Sequence, residues 1–287
     1  MEITSKLVME LREKTGVGMM DCKKALQESN GNLEEAITLL RKKGVAVAQK
    51  RADKAAKEGR VVSVIAPDNK KGIIFELNCE TDFVAKTDDY IALADEIGAQ
   101  LLSGSAKTAA EFLEEASKKD PSQKIKDRIL AVVGKLGENI QLRRFARMEG
   151  DYVCSYIHAG GKIGVLLEAK TGAVDDKVRE LSKELCMQVA AASPKFVSRD
   201  VVSKEVLEAE KDIYREQVKA AGKPENMIEK IVEGKTNKFF EEICLLEQGF
   251  IKDPTIKVNK HIASSVQGPY EVKGFVKFQL GEEVKGE

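Results

Sequence analysis

The sequence predicts an α+β protein built from two compact units and an appendage. Apolar residues recur at helical spacing at the start of the chain and again after residue 203, whereas two stretches in between alternate as pairs of short strands, each followed by an amphipathic helix. The 287 residues exceed one typical domain. An apolar fraction of 43% is sufficient to form hydrophobic cores. These cores must consist mainly of Val, Ile, Leu and Ala, because aromatic residues make up 5% and Trp is absent.

Residues 2–44 are predicted to form three short helices. Apolar residues at helical spacing begin at Ile3, and two glycines break the chain before a second helix. A Ser-Asn-Gly-Asn cluster marks the next turn, with Asn32 as the N-cap of the third helix and Gly44 as its C-cap. We therefore place a three-helix domain with its linker at residues 1–55.

The chain from Val45 to Lys57 is rich in alanine and basic residues. Two interpretations remain open for it. Its composition favours a solvated helical linker, and the alternative is a strip that contacts nucleic acid through Lys50, Arg51 and Lys54. The aromatic side chains that would strengthen the second interpretation are not interleaved with these basic residues.

Two related halves follow the linker, each with a strand hairpin and then an amphipathic helix. A Glu-Gly pair precedes the first hairpin strand in both, and the two helices repeat the same spacing of polar and apolar residues. This similarity indicates an internal duplication. The predicted hairpin strands are residues 60–66 with 73–79 and residues 152–158 with 163–169, and the predicted helices are residues 88–102 and 175–192.

We assign the first half to a core N-subdomain at residues 56–148 and the second to a core C-subdomain at residues 149–197 and 238–264. Both are expected to be antiparallel sheets covered by helices. Between the hairpins, residues 121–137 are predicted to form a helix, and Ile140 is predicted to begin an extra strand.

Residues 198–237 are predicted to form a projecting hairpin of two antiparallel helices. Apolar spacing marks a helix from Ser203, a Gly-Lys-Pro turn ends it, and Pro224 starts a second helix. Two ordinary core helices are the alternative, although a thin apolar stripe flanked by charge favours an exposed arm. The remaining residues, 265–287, are assigned to a C-terminal module with a turn and a strand at residues 270–280.

The most informative feature is the sequence Asn-Cys-Glu-Thr-Asp-Phe-Val at residues 78–84, which sets an acid beside a large aromatic residue. Because it follows an apolar strand and precedes a helix, we expect Asp82 and Phe83 at a strand-to-helix corner, where side chains can be held rigidly and still point outward. The alternative is that Phe83 fills the local core and Asp82 caps the helix. The second half has Lys-Thr-Gly at residues 170–172 instead, and this difference between the copies favours a functional role.

Three stretches together resemble bacterial elongation factor Ts. They are Glu-Thr-Asp-Phe-Val-Ala-Lys at residues 80–86, Thr-Gly-Val-Gly-Met-Met-Asp-Cys-Lys-Lys-Ala-Leu at residues 15–26, and Tyr-Ile-His-Ala-Gly-Gly-Lys-Ile-Gly-Val at residues 156–165. They stand in the order of that family, and the resemblance extends from Glu2 to about Phe278.

The resemblance implies a three-helix N-terminal domain of the ubiquitin-associated (UBA) type and guanine nucleotide exchange on elongation factor Tu. The chain would bind this partner in its GDP-bound and nucleotide-free states and release GDP by disturbing the partner's magnesium and phosphate site, so that GTP can bind. The residues implied in that disturbance are Thr81, Asp82, Phe83 and Val84. Further partner contacts are implied for Met19, Met20, Lys23, Leu136, Gly137, His158 and Ile251. The residues around Ile251, 250–254, follow the family pattern only in part.

The residue types support some of these contacts independently. Met19 and Met20 are adjacent and cannot both face one core, so one of them is expected to be exposed and available to a partner. Lys23 has two interpretations, an ion pair with a partner carboxylate or, more commonly, a solvated lysine. The helical arm is a candidate surface for contact with a second copy of the chain.

Composition argues against several other classes of protein. The 47 basic and 47 acidic side chains cancel, which disfavours a partner recognised mainly through phosphates. A rival RNA-binding function would use residues 50–57 together with Arg143, Arg144 and Arg147. No apolar run approaches the ~18 residues of a membrane-spanning helix, and no signal or Arg-rich transit segment is evident. We therefore expect a bacterial cytoplasmic protein without membrane association.

Catalytic and metal-binding patterns are also missing from the sequence. The five cysteines are scattered with no CxxC pair, and only His158 and His261 supply imidazole, which disfavours a zinc site, a thiol enzyme or a catalytic triad. Gly-Lys-Thr at residues 234–236 is not a phosphate loop, because Glu229 stands where a second glycine is required. We expect no cofactor, no metal ion and no active site of its own in this chain.

Overall fold

A computed structural model describes residues 3–283, without the side chains of Ala48 and Gln49. Helices and small antiparallel sheets alternate along it, which confirms the α+β class. The helices are α1 (Ser5–Thr15), α2 (Met19–Glu28), α3 (Leu33–Arg51), α4 (Asp88–Ser103), α5 (Ala109–Glu114), α6 (Ile125–Leu136), α7 (Asp176–Ala192), α8 (Lys204–Ala220), α9 (Glu225–Ile243) and α10 (Val258–Ser265). The strands are β1 (Glu58–Ile65), β2 (Lys71–Cys79), β3 (Ile140–Glu149), β4 (Tyr152–His158), β5 (Ile163–Thr171), β6 (Gly249–Phe250), β7 (Asp253–Lys257) and β8 (Tyr270–Gln279).

The first three helices pack around a small apolar core. Thr4 caps α1 by accepting the backbone N–H of Leu7 at 3.3 Å, and Asn32 caps α3 by accepting two backbone N–H groups. Three helices therefore form here as the apolar spacing predicts. Their buried residues are Val8, Leu11, Cys22, Ala25, Leu26, Ala36 and Leu40.

Helix α3 continues through Gly44 to Arg51, so the predicted C-cap at Gly44 is wrong. The reason is tertiary: α3 packs against α6, and a Cβ atom placed on Gly134 would lie 2.6 Å from the Cα of Gly44. Two glycines thus let the helix backbones touch, and this packing carries α3 onward where the sequence alone suggests an end. The first half of the predicted linker is the last part of this helix.

The first sheet has the order β1-β2-β3, and all its neighbouring strands are antiparallel. Phe75 of the central strand is fully buried in one cluster with Ile97 of α4 and Ile129 of α6. The extra strand begins at Ile140 as predicted, and the helix predicted at residues 121–137 is present as α6. The N-terminal hairpin and its helix α4 therefore form the expected sheet-and-helix layer.

The second sheet repeats this arrangement with the order β4-β5-β8 and with α7 packed against it. The pairing register of the middle strand with the third strand shifts at one place in each sheet. The shift lies between Glu76 and Leu77 in the first sheet and between Glu168 and Ala169 in the second. The common order and the matching irregularity support the internal duplication.

The strand β8 corrects the assignment of residues 265–287 to a separate module. It is hydrogen-bonded to β5 from the pair Ile163–Gln279 to the pair Thr171–Tyr270 and is therefore the third strand of the second sheet. The predicted strand at residues 270–280 is confirmed. Its partner was not predictable because about 100 residues of helix and loop separate the two strands.

The two sheets pack face to face, so the core has helix, sheet, sheet and helix layers. A separate apolar cluster between the sheets contains Val61, Ile74, Val153, Leu166 and Phe278. The backbone N–H of Val61 in β1 donates to the carbonyl of Gly161 at 2.8 Å, which ties β1 to the turn after β4. Burial on both faces accounts for the consecutive apolar residues Ile73, Ile74 and Phe75 of β2.

Helices α8 and α9 pack against each other across a turn in which Gly222 has a φ of +67°. Val218, Ile228 and Val232 are buried between them, and Arg215 of α8 pairs with Glu229 of α9 at 3.0 Å. Helix α9 extends to Ile243, six residues past the predicted end of the arm at 237. The elements α5, β6, β7 and α10 were not predicted.

Candidate functional site at the strand-to-helix corner

Residues 80–87 form a short corner between the end of β2 and the start of α4. Val84 and Ala85 are buried in the first core, and a 3-10 turn spans Val84–Lys86. Thr87 caps α4 by accepting the backbone N–H of Tyr90 at 3.4 Å. Asp82 and Phe83 therefore lie at a corner as predicted, within backbone that is anchored on both sides.

Phe83 is 78% exposed. Among the described residues with large apolar side chains, none has a larger exposed fraction. The alternative in which Phe83 fills the core is therefore wrong, and so is the cap at Asp82, because Thr87 is the N-cap. The Asp82 carboxylate instead accepts a hydrogen bond from the Lys86 ammonium at 2.6 Å. A phenylalanine presented to solvent from a fixed turn is suited to enter a cleft on another molecule.

The carboxylates of Glu138 and Glu80 hold the corner through hydrogen bonds. Glu138 accepts the Thr81 backbone N–H at 2.9 Å and the Thr81 hydroxyl at 2.7 Å. Glu80 accepts the backbone N–H of Asn139 at 2.8 Å and pairs with Arg51 at 3.0 Å. Sequence reasoning missed Glu138 and Asn139, because only the three-dimensional fold brings them to the corner.

The charges at the corner are paired. Hydrogen bonding to the Lys86 ammonium holds the pKa of Asp82 below its usual value, and the positive charges of Lys86 and Lys162 act in the same direction. The Lys86 ammonium also lies 5.9 Å from the centre of the Phe83 ring. Burial, with the Glu138 charge as the next cause, raises the pKa of Cys79 to about 12. Cys79 is thus a neutral thiol that donates to the Thr81 carbonyl, not a nucleophile.

Leu136 and Gly137 lie beside the corner, at the end of α6. Gly137 ends this helix with a φ of +75°, a conformation that favours glycine, and the chain then passes directly to Glu138. Leu136 is half-buried against the first core. The structure therefore brings this predicted pair together with Thr81.

His158 lies at the exposed end of β4, where its Nδ1 is 2.9 Å from the Tyr156 hydroxyl oxygen. The turn that follows carries Lys162, which pairs with Glu58 at the start of β1. Because the Lys162 charge acts on Asp82, this turn lies within electrostatic range of the corner. His158 itself contacts Tyr156 and not the corner residues.

Met19 and Met20 begin α2 and are 41% and 67% exposed, and Lys23 is exposed one turn further on. The sequence predicted one exposed methionine, and both are. The loop before α2 lies against α6, because a Cβ on Gly16 would be 2.2 Å from the Lys135 Nζ. Lys135 in turn donates to Asp89, in the first turn of α4, at 2.6 Å. The loop before α2 is therefore linked through Lys135 to the first turn of α4, the helix that follows the corner.

Ile251 lies elsewhere, between β6 and β7. It is exposed, and its backbone N–H donates to the Gln188 side chain of α7 at 2.7 Å. Its neighbour Phe250 is buried in the second core and stacks on His261 with a centroid distance of 3.9 Å. The structure does not place Ile251 in the corner, so its predicted partner contact would be a separate one.

Three arginines of the rival RNA-binding interpretation are engaged in contacts within the chain, whereas Lys50, Lys54 and Lys57 are exposed. Arg147 donates to the carbonyls of Leu101 and Ala106, and Arg144 pairs with the buried Glu76 at 2.8 Å. Arg51 pairs with Glu80. These contacts explain the three arginines as structural links between elements.

Within residues 3–283, no group of three or more His, Cys, Asp or Glu side chains is arranged to hold a metal ion. Among the helices described, none has the length and apolar character needed to cross a membrane.

Comparison with known proteins places the chain in a family. The family described as Elongation factor TS matches residues 80–282. The chain is 45% identical to an Elongation factor Ts of Clostridium botulinum (strain Alaska E43 / Type E3) over 288 aligned positions, covering 99% of this chain and 94% of the relative. It is 43% identical to the Elongation factor Ts of Halothermothrix orenii, covering 100% of this chain and 95% of that relative. The corner, the turn after β4 and β8 all lie within the family match, and the chain belongs to the elongation factor Ts family of translation elongation factors.

Proposed function

We propose that this chain is a guanine nucleotide exchange factor that binds elongation factor Tu with GDP bound, promotes GDP release and stays on the nucleotide-free partner until GTP binds. Family membership supports the identity of the partner. The single observation that carries the mechanism is Phe83, 78% exposed on a corner whose neighbouring residues are buried or hydrogen-bonded.

The physical basis is thermodynamic linkage. GDP and magnesium stabilise one conformation of the GTPase, and a protein that binds another conformation more tightly must weaken GDP binding by the same factor. The chain therefore needs no active site of its own, only a surface that fits the opened partner. Rigid presentation helps, because little conformational entropy is then lost when the complex forms.

Each corner residue has a role in this account. The Phe83 ring inserts between helices of the partner and pushes open its magnesium and phosphate side, as a buried aromatic anchor. Asp82 exchanges its bond with Lys86 for a polar group of the opened partner. Thr81 and Val84 hold the two ends of the turn, through Glu138 and the first core respectively.

The wider contact surface extends from this corner. Met19, Met20 and Lys23 would grip the nucleotide-binding domain of the partner. The three-helix region, which we propose to be UBA-like, thus docks while the corner acts. Leu136, Gly137 and His158 lie on the side of the corner and extend the surface, whereas Ile251 provides a separate contact.

The domain boundaries, the cellular location and the expected absence of other ligands are proposals of the same kind. We assign a three-helix domain at residues 1–55, core subdomains at residues 56–148 and at 149–197 with 238–264, and a projecting helical hairpin at residues 198–237 that is free to contact a second copy. The strand β8 adds the third strand to the sheet of the second subdomain. The surface would act in the cytoplasm, without nucleic acid, membrane or cofactor.

The test is release of fluorescently labelled GDP from purified elongation factor Tu. The account predicts that catalytic amounts of the chain accelerate release and that excess unlabelled GTP replaces GDP. Release at the spontaneous rate, at all concentrations of the chain, would contradict it. A parallel heparin-column and RNA-shift assay tests the rival: elution at low salt without an RNA shift leaves that function unsupported.

A further inference from the structure

Glu138 contacts the corner although 57 residues separate it from Thr81 in sequence. One of its carboxylate oxygens accepts the Thr81 backbone N–H at 2.9 Å, and the other accepts the Thr81 hydroxyl at 2.7 Å. Both bonds are charge-assisted, and together they fix the position and the rotation of Thr81.

Thr81 in turn begins the backbone turn that carries Phe83. Its hydroxyl oxygen accepts the Val84 N–H at 3.4 Å, and its carbonyl accepts the Ala85 N–H at 3.4 Å. The position of Thr81 therefore determines where the turn starts and in which direction Phe83 leaves it.

The segment that holds Glu138 is itself fixed. Gly137 bonds back to the carbonyl of Val133 at 2.8 Å, and the buried Asn139 donates to the carbonyls of Ala52 and Lys54 at 3.3 and 2.9 Å. Glu138 thus stands on a segment joined both to α6 and to the chain just after α3. A group supported in this way can hold another residue in place.

We propose that Glu138 is a positioning residue for nucleotide exchange, which holds Thr81 and thereby the orientation of Phe83. This inference rests on the proposed function. When the hydrogen bonds from Thr81 to Glu138 are weakened, the corner samples more orientations, while the wider contact surface still binds the partner. Fewer bound complexes then have Phe83 in the productive position, so the maximal rate of GDP release falls more than the affinity does.

The test variant is Glu138→Gln, which leaves one acceptor but sets an amide NH₂ group against a Thr81 donor. The control is Glu149→Gln, which removes the same charge from an exposed side chain at the end of β3. Thermal melting identifies any variant with a general loss of stability.

The first measurement is hydrogen–deuterium exchange of the free protein. In Glu138→Gln the amides of residues 80–87 should exchange at least about tenfold faster, the change expected when a hydrogen bond to a charged group is lost. The amides of β2 and the whole of Glu149→Gln should be unchanged. Unaltered protection of residues 80–87 would overturn the claim that Glu138 holds the corner.

The second measurement is GDP release at saturating concentrations of each variant. Glu138→Gln should lower the maximal rate about tenfold, with a change of about twofold or less in the half-saturating concentration, and Glu149→Gln should retain the rate. A full maximal rate with a loosened corner would overturn the positioning role. A wild-type chain without effect on GDP release would remove the proposed function and this role with it, while deuterium exchange would still decide whether Glu138 holds Thr81.

Discussion

Gly44 of α3 and Gly134 of α6 are in backbone contact: a Cβ atom on Gly134 would lie 2.6 Å from the Gly44 Cα. Because backbone atoms cannot move aside as a flexible side chain can, this contact fixes how closely the two helices approach. It joins the N-terminal helices to the core that carries the corner.

We expect Gly134→Val to separate α3 from α6 and to reduce the free energy of unfolding by about 1–3 kcal/mol, as overpacking commonly does. Urea denaturation measures this. Gly234→Val is the matched control, because Gly234 is also inside a helix and, apart from its chain neighbours and the adjacent backbone of that helix, no described atom lies within 4 Å of where its Cβ would be. Equal effects of the two substitutions would show that the close contact between α3 and α6 does not contribute to the free energy of unfolding.

Removal of residues 1–44 should abolish tight binding to elongation factor Tu while the two sheets stay folded. The truncation cuts α3 in its middle and uncovers part of α6, so we expect a cooperative but earlier thermal transition. Circular dichroism and a pull-down assay measure the two effects. Loss of the strand signal in the truncated chain would contradict the proposed independence of the core.

Glu96 should make stability depend on pH. Its side chain is only 7% exposed, and Arg128 holds it with two bonds of 3.0 Å. Although burial alone would raise it, the pKa of Glu96 is lowered by Arg128 and Ser117. A lowered folded-state pKa gives stability that is present above the unfolded-state value of about 4.5 and is lost as pH falls through the folded-state value.

We therefore expect Glu96→Gln to destabilise the protein by about 2 kcal/mol at pH 7, and this difference should shrink as the pH is lowered through 4. Thermal melts from pH 7 to pH 3 measure it, with exposed Glu149→Gln as the control. A difference that stays constant over this range would show that the Glu96 charge is not the cause.

Deletion of residues 203–237, with a short bridge, should preserve part of the exchange activity. Phe240 and Ile243 at the end of α9 pack in one cluster with Phe196, and these three residues lie outside the deletion. Leu207 is the member of the cluster that the deletion removes. Fluorescent GDP release and size-exclusion chromatography test the deletion together. Complete loss of exchange in a well-folded deletion would place α8 and α9 in the exchange mechanism.

Local patterns predicted much of the fold. The strands Tyr152–His158 and β8 follow from apolar alternation, and the cap at Asn32 follows from side-chain chemistry, because each signal lies within a few residues. The strand-to-helix corner at Phe83 could be predicted in the same way, whereas the local pattern left open whether the ring is exposed or fills the core.

Long-range contacts limit what sequence can predict. Gly44 has the character of a helix end, yet its contact with Gly134 carries α3 further. The pairing of β8 with β5, the stacking of the two sheets and the bond from Glu138 to Thr81 join parts of the chain that are distant in sequence. None of these has a local signal, because each depends on the path of the whole chain.

The central claim is that Phe83 acts on the partner and not on its own core. Phe83→Ala should lower the rate of GDP release strongly, because truncation removes an interface anchor worth about 2 kcal/mol or more. Asp82→Ala should slow release less and leave thermal melting almost unchanged. Phe75→Ala is the contrasting control: that ring is fully buried, and its loss should destabilise the free protein by about 3–5 kcal/mol.

The most direct measurement compares GDP release from elongation factor Tu and thermal melting for Phe83→Ala and the wild type, side by side. The account predicts a melting temperature close to that of the wild type together with an exchange rate at least about tenfold lower. A Phe83→Ala protein that melts much earlier, yet exchanges nucleotide normally while folded, would contradict it.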